Sequence, residues 1–247
     1  MKYAVYVEGQ SELLFVADVL QKYSDYDPAK CGFRCINLNT DDFKQLNHPM
    51  QGDEHSTDFY QIVNVNNDNR VVSKLRHDIP GLLKQGYNVV IGLKDVYGEA
   101  YQYLTKGSQK IDIQLIEQLH SQQFEAVQVP SGSDCRLHFA IMEFEAWMLA
   151  LIENFVVGKG LDWTEVNQNL GIDITTDIES SVYHPYPLVR KIYQECGSDY
   201  NKHKDETLAF LSTLTKADYE NLRHSGHCAS FGKFLNSLLG GTCPVLP

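Results

Sequence analysis

Three acidic residues close apolar runs of strand length: Glu8 follows YAVYV, Asp95 follows NVVIGLK and Glu143 follows LHFAIM. In an open α/β sheet the carboxyl ends of the parallel strands share one edge, and ligands bind in the crevice there. Acids gathered at such an edge repel one another, and protonation or a cation must relieve the repulsion. Mg2+ (or Mn2+) is the natural counter-ion, because a hard cation prefers oxygen ligands and keeps several waters. The chemistry implied is metal-assisted acid–base work. Glu8 would be a metal ligand or general base, Asp95 a metal ligand, and Glu143 or Glu145 would complete the set. Each acid alone also reads as a negative charge set against a helix N-terminus, a role that suits Glu12, one turn beyond Glu8. Glu143 and Glu145 are two residues apart, and helix positions i and i+2 point to nearly opposite sides. If the helix begins near Phe144, Glu143 sits at the sheet edge and Glu145 in the first turn, and either can be the ligand.

The rest of the chain must position these acids. Its 247 residues are 43% hydrophobic and 21% charged, enough for one large domain, or one domain with a smaller companion, around a proper core. No stretch approaches the ~20 consecutive apolar residues that span a bilayer. MKYAVYVEGQ reads as a strand rather than a signal peptide, so a cytoplasmic protein is expected. The net charge of −11 argues against a protein that grips nucleic acid unaided by neutralising phosphates. A nucleic-acid substrate would need bound cations or a partner protein. Six cysteines are scattered and expected to stay reduced. Neither the C-x3-C pair Cys31/Cys35 nor His224, His227 and Cys228 of HSGHC has a partner cluster at zinc-site spacing, so buried thiols and surface histidines are the preferred reading.

Strands are expected at 2–7, 33–38, 60–65, 87–95 and 124–129, the last being FEAVQV. Helices are expected at 11–23, with Leu13, Val16, Ala17 and Leu20 on one face, at 70–86 with a kink or an interruption near Pro80 and Gly86 as its end, and near 109–121. LNHPMQGDEHSTD reads as an exposed loop. The alternation predicts a mostly parallel sheet flanked by helices, an α/β fold. From about 156 the pattern is helical, at 187–196, 203–213, 215–223 and 229–239, with GLDWTEVNQNLGIDI as a connecting element. The expected organisation is an α/β domain over 1–155 and a helical C-terminal extension over 156–247. Trp147, Leu149, Leu151 and Ile152 read as core.

VEGQSE (7–12) resembles the opening motif of Toprim domains, a Rossmann-like fold in which a glutamate follows the first strand. LKDVYGEA (93–100) lies where those domains carry Asp-x-Asp. IMEFEAWMLA (141–150), YNKHKDE (200–206) and CASFGKFLNSL (228–238) resemble signatures of a bacterial Toprim-like family described only as domain of unknown function 4276. The resemblance implies Mg2+-dependent phosphodiester chemistry like that of the nucleases of the OLD (overcoming lysogenisation defect) type, with DNA as substrate. It also implies a separately encoded P-loop ATPase partner and a role in defence against phage or foreign DNA. No GxxxxGK[ST] occurs, so this chain is not itself the ATPase. The pattern's second aspartate is here Tyr97, with Glu99 as a substitute two residues on. That departure favours the alternative of a non-catalytic interaction subunit. Lys202 and Lys204, with His203, read either as phosphate contacts or, more commonly for such residues, as the solvated start of a helix. Ser230 has no His/Asp arrangement of a serine hydrolase. A small-molecule phosphate enzyme is disfavoured because GQSE has a single glycine.

Overall fold

The computed structural model describes residues 1–39, 42–46, 48, 52–67, 70–105, 108–171 and 176–240. Cys243 and part of the polar loop after position 46 lie outside them. The first half of the chain runs β1 (Lys2–Val7), α1 (Gln10–Tyr23), β2 (Cys31–Asn39), β3 (Asp42–Leu46), β4 (Asp58–Asn64), α2 (Arg70–Lys84), β5 (Val89–Asp95), α3 (Glu99–Leu104), α4 (Ile113–Val127) and β6 (Asp134–Ala140). Helices follow: α5 (Glu145–Leu151), α6 (Glu153–Gly158), α7 (Trp163–Leu170), α8 (Ile178–Ser181), α9 (Pro185–Glu195), α10 (Lys204–Leu211), α11 (Lys216–Ser225) and α12 (Ala229–Leu238). The strands form one sheet in the order β3-β2-β4-β1-β5-β6, with β2, β4, β1 and β5 mutually parallel and β3 antiparallel to β2. This is the α/β fold expected, with its C-terminal helices.

Contacts divide the chain into two compact units, Met1–Lys94 with Gln114–Phe139, and Asp95–Ile113 with Ala140–Pro247. In the first, β1 is buried on both faces, Tyr3 through Val7, as a central parallel strand must be. α1 is buried almost all round, well beyond its Leu13/Val16/Ala17/Leu20 face, and Lys22 is tolerated there because its ammonium pairs with Asp18 at 2.6 Å. α2 keeps the pattern of an amphipathic helix, burying Val71, Leu75, Ile79 and Leu82. Pro80 does not interrupt it. The proline lies on the exposed side, where water can take up the carbonyl it leaves without a donor. Gly86, at φ +81°, ends the turn as expected.

Gly92 in β5 is a close approach between side chains within this unit. A Cβ there would lie 2.6 Å from Leu75 Cδ1 and 3.0 Å from Leu137 Cδ1. Gly92→Ala should therefore destabilise the protein by about 1–3 kcal/mol through overpacking. Chemical denaturation of the two proteins measures it, and equal midpoints would show that the leucines simply move aside.

Two expectations need correction, and one stretch gains detail. FEAVQV is not a strand, because Phe124–Val127 is the last turn of α4. Its apparent alternation is the tail of a helical stripe through Ile116, His120, Phe124 and Val127, with His120 Nε2 2.7 Å from the Leu137 carbonyl oxygen. LHFAIM is strand only to Ala140, and the chain then turns at Met142 with φ +66°. GLDWTEVNQNLGIDI, whose residues 172–174 lie outside the described ones, includes a capped helix, α7, whose Asp162 carboxylate accepts from the N–H of Thr164 and Glu165 and which Gly171 ends at φ +63°.

Candidate acidic site

In the second unit, β5 ends at Asp95 and the chain beyond it stays paired with the exit of β6. Val96 N–H donates to the Ala140 carbonyl at 3.1 Å and Tyr97 N–H to that of Met142 at 2.6 Å. Met142 is fully buried yet left-handed, a conformation that costs a non-glycine residue about 1–3 kcal/mol unless its surroundings hold it. They do: Asp95 Oδ1 accepts the Phe144 N–H at 2.9 Å across the turn. Asp95 thus fixes the corner from which Glu143 and Glu145 emerge. Because Glu143 precedes α5 and Glu145 opens it, the i, i+2 divergence of a regular helix does not apply.

Both glutamates are buried. The Glu143 carboxylate accepts the Tyr186 N–H at 3.0 Å and lies 3.5 Å from His184 Nε2. Burial, and next the charge of Glu145, push the Glu143 carboxyl up to about 7. Burial and then the nearby Lys202 hold the His184 imidazole below its ordinary range, so it is neutral at pH 7. Glu145, 1% exposed, is gripped from two sides. Tyr200 donates its hydroxyl at 2.9 Å, and the Lys202 ammonium lies 3.0 Å from one oxygen and 3.1 Å from the other. Lys202 reaches it from a left-handed backbone, φ +62°, because the Glu206 carboxylate accepts the N–H groups of both Asn201 and His203 and wraps the chain between them.

Aromatic rings surround the pair. Tyr97 stacks on His184 with centroids 4.5 Å apart and meets Tyr183 edge-on at 5.5 Å, and the Lys202 ammonium stands 5.2 Å over the Tyr186 ring. Behind them, Trp147 Nε1–H donates to Glu179 Oε1 and Ser230 Oγ, both at 3.0 Å, while Ser230 gives its N–H and hydroxyl to the same carboxylate. Ser230 is thus engaged in a buried network tying α5, α8 and α12 together.

The other candidate residues stand as follows. Glu8 and Glu12 belong to the first unit and are buried. The β1–β5 register pairs Val7 with Leu93, so Glu8 and Lys94 emerge side by side, with the ammonium 3.8 Å from Glu8 Oε1. The Glu12 carboxylate folds back over Gly9, where a Cβ would come within 2.8 Å of it. Glu99 opens α3, and its side chain lies outside the described residues. Lys204 is exposed at the start of α10. The structure therefore brings together Glu143, Glu145 and Lys202, with Asp95 bracing their corner. Sequence reasoning missed His184, Tyr186, Tyr200 and Glu179. Only Tyr200 had a visible signal, its place two residues before Lys202.

Among the described residues no group of three or more His, Cys, Asp or Glu side chains is arranged to hold a metal ion. The described cysteines are free, and burial pushes the thiols of Cys31, Cys35 and Cys135 up to about 12, which keeps them protonated. No helix among those residues is long and apolar enough to cross a membrane. Neither a curated protein nor a solved structure matches the chain. A family model described as a domain of unknown function (DUF4276) matches residues 7–239, and the chain belongs to that family.

Proposed function

We propose that this chain is a Mg2+- or Mn2+-dependent phosphodiester-cleaving protein, a nuclease-like partner of a separately encoded P-loop ATPase, acting on DNA in defence against phage or foreign genomes. The observation that carries the chemical part is the buried pair Glu143 and Glu145, one of them held in mixed protonation near pH 7. The partner and the pathway rest on the resemblance of VEGQSE, EFEAW and the C-terminal stretches to Toprim-like proteins. Two carboxylates fit Mg2+, which is ordinarily held by one or two carboxylates plus waters and substrate phosphates rather than by an all-protein cage. A cation held by Glu143 and Glu145 would supply positive charge against a phosphoryl oxygen. The chain's own residues do the rest. Glu143 exchanges a proton near neutral pH, the neutral His184 stands beside it as a second proton carrier, and Tyr200 and Lys202 fix Glu145.

Calorimetric titration with Mn2+ tests this. Saturable binding is expected in the wild type and not in Glu143→Gln. Because the cation needs the ionised carboxylate, the apparent affinity should rise roughly tenfold per pH unit up to about 7 and then level off. Binding that ignores both the substitution and pH would remove the pair from the mechanism. A Glu8→Gln variant carried through the same titration decides whether that acid serves the cation as well. Cleavage of single-stranded DNA, beside plasmid DNA, with Mn2+ is the functional readout.

A second reading is favoured by the internal counter-charges, Lys202 on Glu145 and Lys94 beside Glu8. Acids already neutralised by lysines suit a non-catalytic interaction subunit. Wild type that binds no Mn2+ and cuts no DNA, alone or with its ATPase, would establish it.

A further inference from the structure

Tyr97 stands where the Toprim pattern has an aspartate, and the geometry around it gives that departure a purpose. Tyr183, Tyr97, His184 and Tyr186 form a continuous run of rings, with centroid separations of 5.5, 4.5 and 6.4 Å along the series. All four are only half-buried, so they are not core. The run is anchored at both ends. Tyr183 shares a hydrogen bond with Thr105 Oγ1 at 3.1 Å, and the backbone of Tyr186 is tied to Glu143. His184 Nε2, 3.5 Å from Glu143, makes the rings continuous with the carboxylate. The half-exposed aromatic surface thus ends at the group proposed to do the chemistry.

We infer that this run of rings is a stacking shelf for an unpaired nucleobase, so that the chain takes single-stranded nucleic acid, DNA or RNA, rather than intact duplex. The inference rests on the phosphodiester reading for its choice of ligand. Rigid π-faces accept any base that has left its helix, whereas a paired base has no face to offer. The site's charge points the same way. In an acidic protein of net charge −11, and with the Lys202 ammonium beside Tyr186 already bound to Glu145, phosphate neutralisation is a poor source of affinity. What remains is stacking, which does not depend on salt. Replacing an aspartate by Tyr97 exchanges a cation ligand for substrate surface.

Fluorescence anisotropy with labelled 12-mers of thymidine and of uridine, single-stranded and annealed to their complements, tests this with EDTA present so that no cation is involved. The single strands should bind and the duplexes should not. Affinity should be flat or slightly improved between 50 and 200 mM salt, the opposite of a phosphate-gripping protein. Tyr97→Ala should weaken binding about 5- to 100-fold, and Tyr97→Phe should restore it. Tyr183→Ala, with thermal unfolding as a control for folding, is the second variant and should also weaken binding. A 12-mer of deoxyuridine, compared with that of uridine, then separates DNA from RNA by the 2′-hydroxyl alone. Equal binding of duplex, a steep loss with salt, an unaffected Tyr97→Ala variant, or no binding of either strand would each overturn the shelf. Absent oligonucleotide binding alongside intact Mn2+ binding sinks this inference alone, whereas absence of both removes the phosphodiester reading with it.

Discussion

Glu143→Gln is expected to make the protein more stable, not less, at pH 8. The folded Glu143 carboxyl sits at about 7 against an ordinary 4.5, so the folded protein resists its ionisation. A raised carboxyl contributes stability that is fully present below the unfolded value and is lost as pH rises through the folded one. A tenfold change in an ionisation constant is worth about 1.4 kcal/mol. Between about pH 4.5 and pH 7 the wild type therefore loses up to about 3 kcal/mol that the neutral glutamine keeps. In EDTA at pH 8 the variant should melt higher by ~5–10 °C, and below pH 4.5 the two curves should coincide. Gln can still accept the Tyr186 N–H, so no hydrogen bond is sacrificed. Saturating Mn2+ should reverse the order by stabilising only the wild type. A glutamine variant that melts lower at pH 8 would mean that the Glu143 charge is well solvated and not held against stability.

Such a stability cost, if measured, is what a functional acid looks like, and part of it was visible in the sequence. Glu143 could be singled out because LHFA is an apolar strand and the acid follows it closely, although such an acid alone reads equally as a charge at a helix start. Lys202 was legible as a lysine in a short polar turn, but its partner was not, since Glu145 is 57 positions away and only the fold closes that distance. His184 and Tyr186 were invisible for the same reason, lying more than 40 positions beyond the glutamate they touch. β1 and β5 announced themselves because a central parallel strand is apolar on both faces. β3, DFKQL, did not, because a polar edge strand has no apolar pattern to show. FEAVQV misled because the final turn of a half-exposed helix alternates by accident over six residues, too short a window to separate a period of 2 from 3.6. Nor could the linear pattern show that residues 95–113 fold with the segment after 140, since nothing in composition marks a chain that leaves one compact unit and returns.

Trp147→Ala is expected to have the largest effect on stability of any change considered. Its ring is fully buried, stacked on Phe234 at 5.6 Å and edge-on to Phe231 at 5.5 Å, and truncating such a side chain costs about 3–5 kcal/mol. The Glu179 carboxylate would also lose a donor inside the protein, adding ~1–3 kcal/mol. The sum approaches the whole stability of an ordinary domain, so the variant should be unfolded or nearly so at 37 °C. Trp147→Phe keeps an aromatic ring but removes the indole N–H together with part of the ring, so the pH dependence of its deficit, not its size, reports the lost donor. Burial already raises the Glu179 carboxyl, and the Ser230 and Trp147 donors oppose that rise by favouring the ionised form. Removing one donor lets the folded value climb further, so the deficit of Trp147→Phe should widen as pH increases. Ser230→Ala, which removes another donor to the same carboxylate, should show the same slope. Urea denaturation of the three proteins between pH 5 and pH 9 measures it. A deficit that does not change with pH would mean that Glu179 keeps one protonation state between pH 5 and pH 9 in all three proteins. In that case the Trp147 and Ser230 donors would hold α5, α8 and α12 together with the same strength across that range, and the start of α5, where Tyr200 and Lys202 grip Glu145, would be equally insensitive to pH.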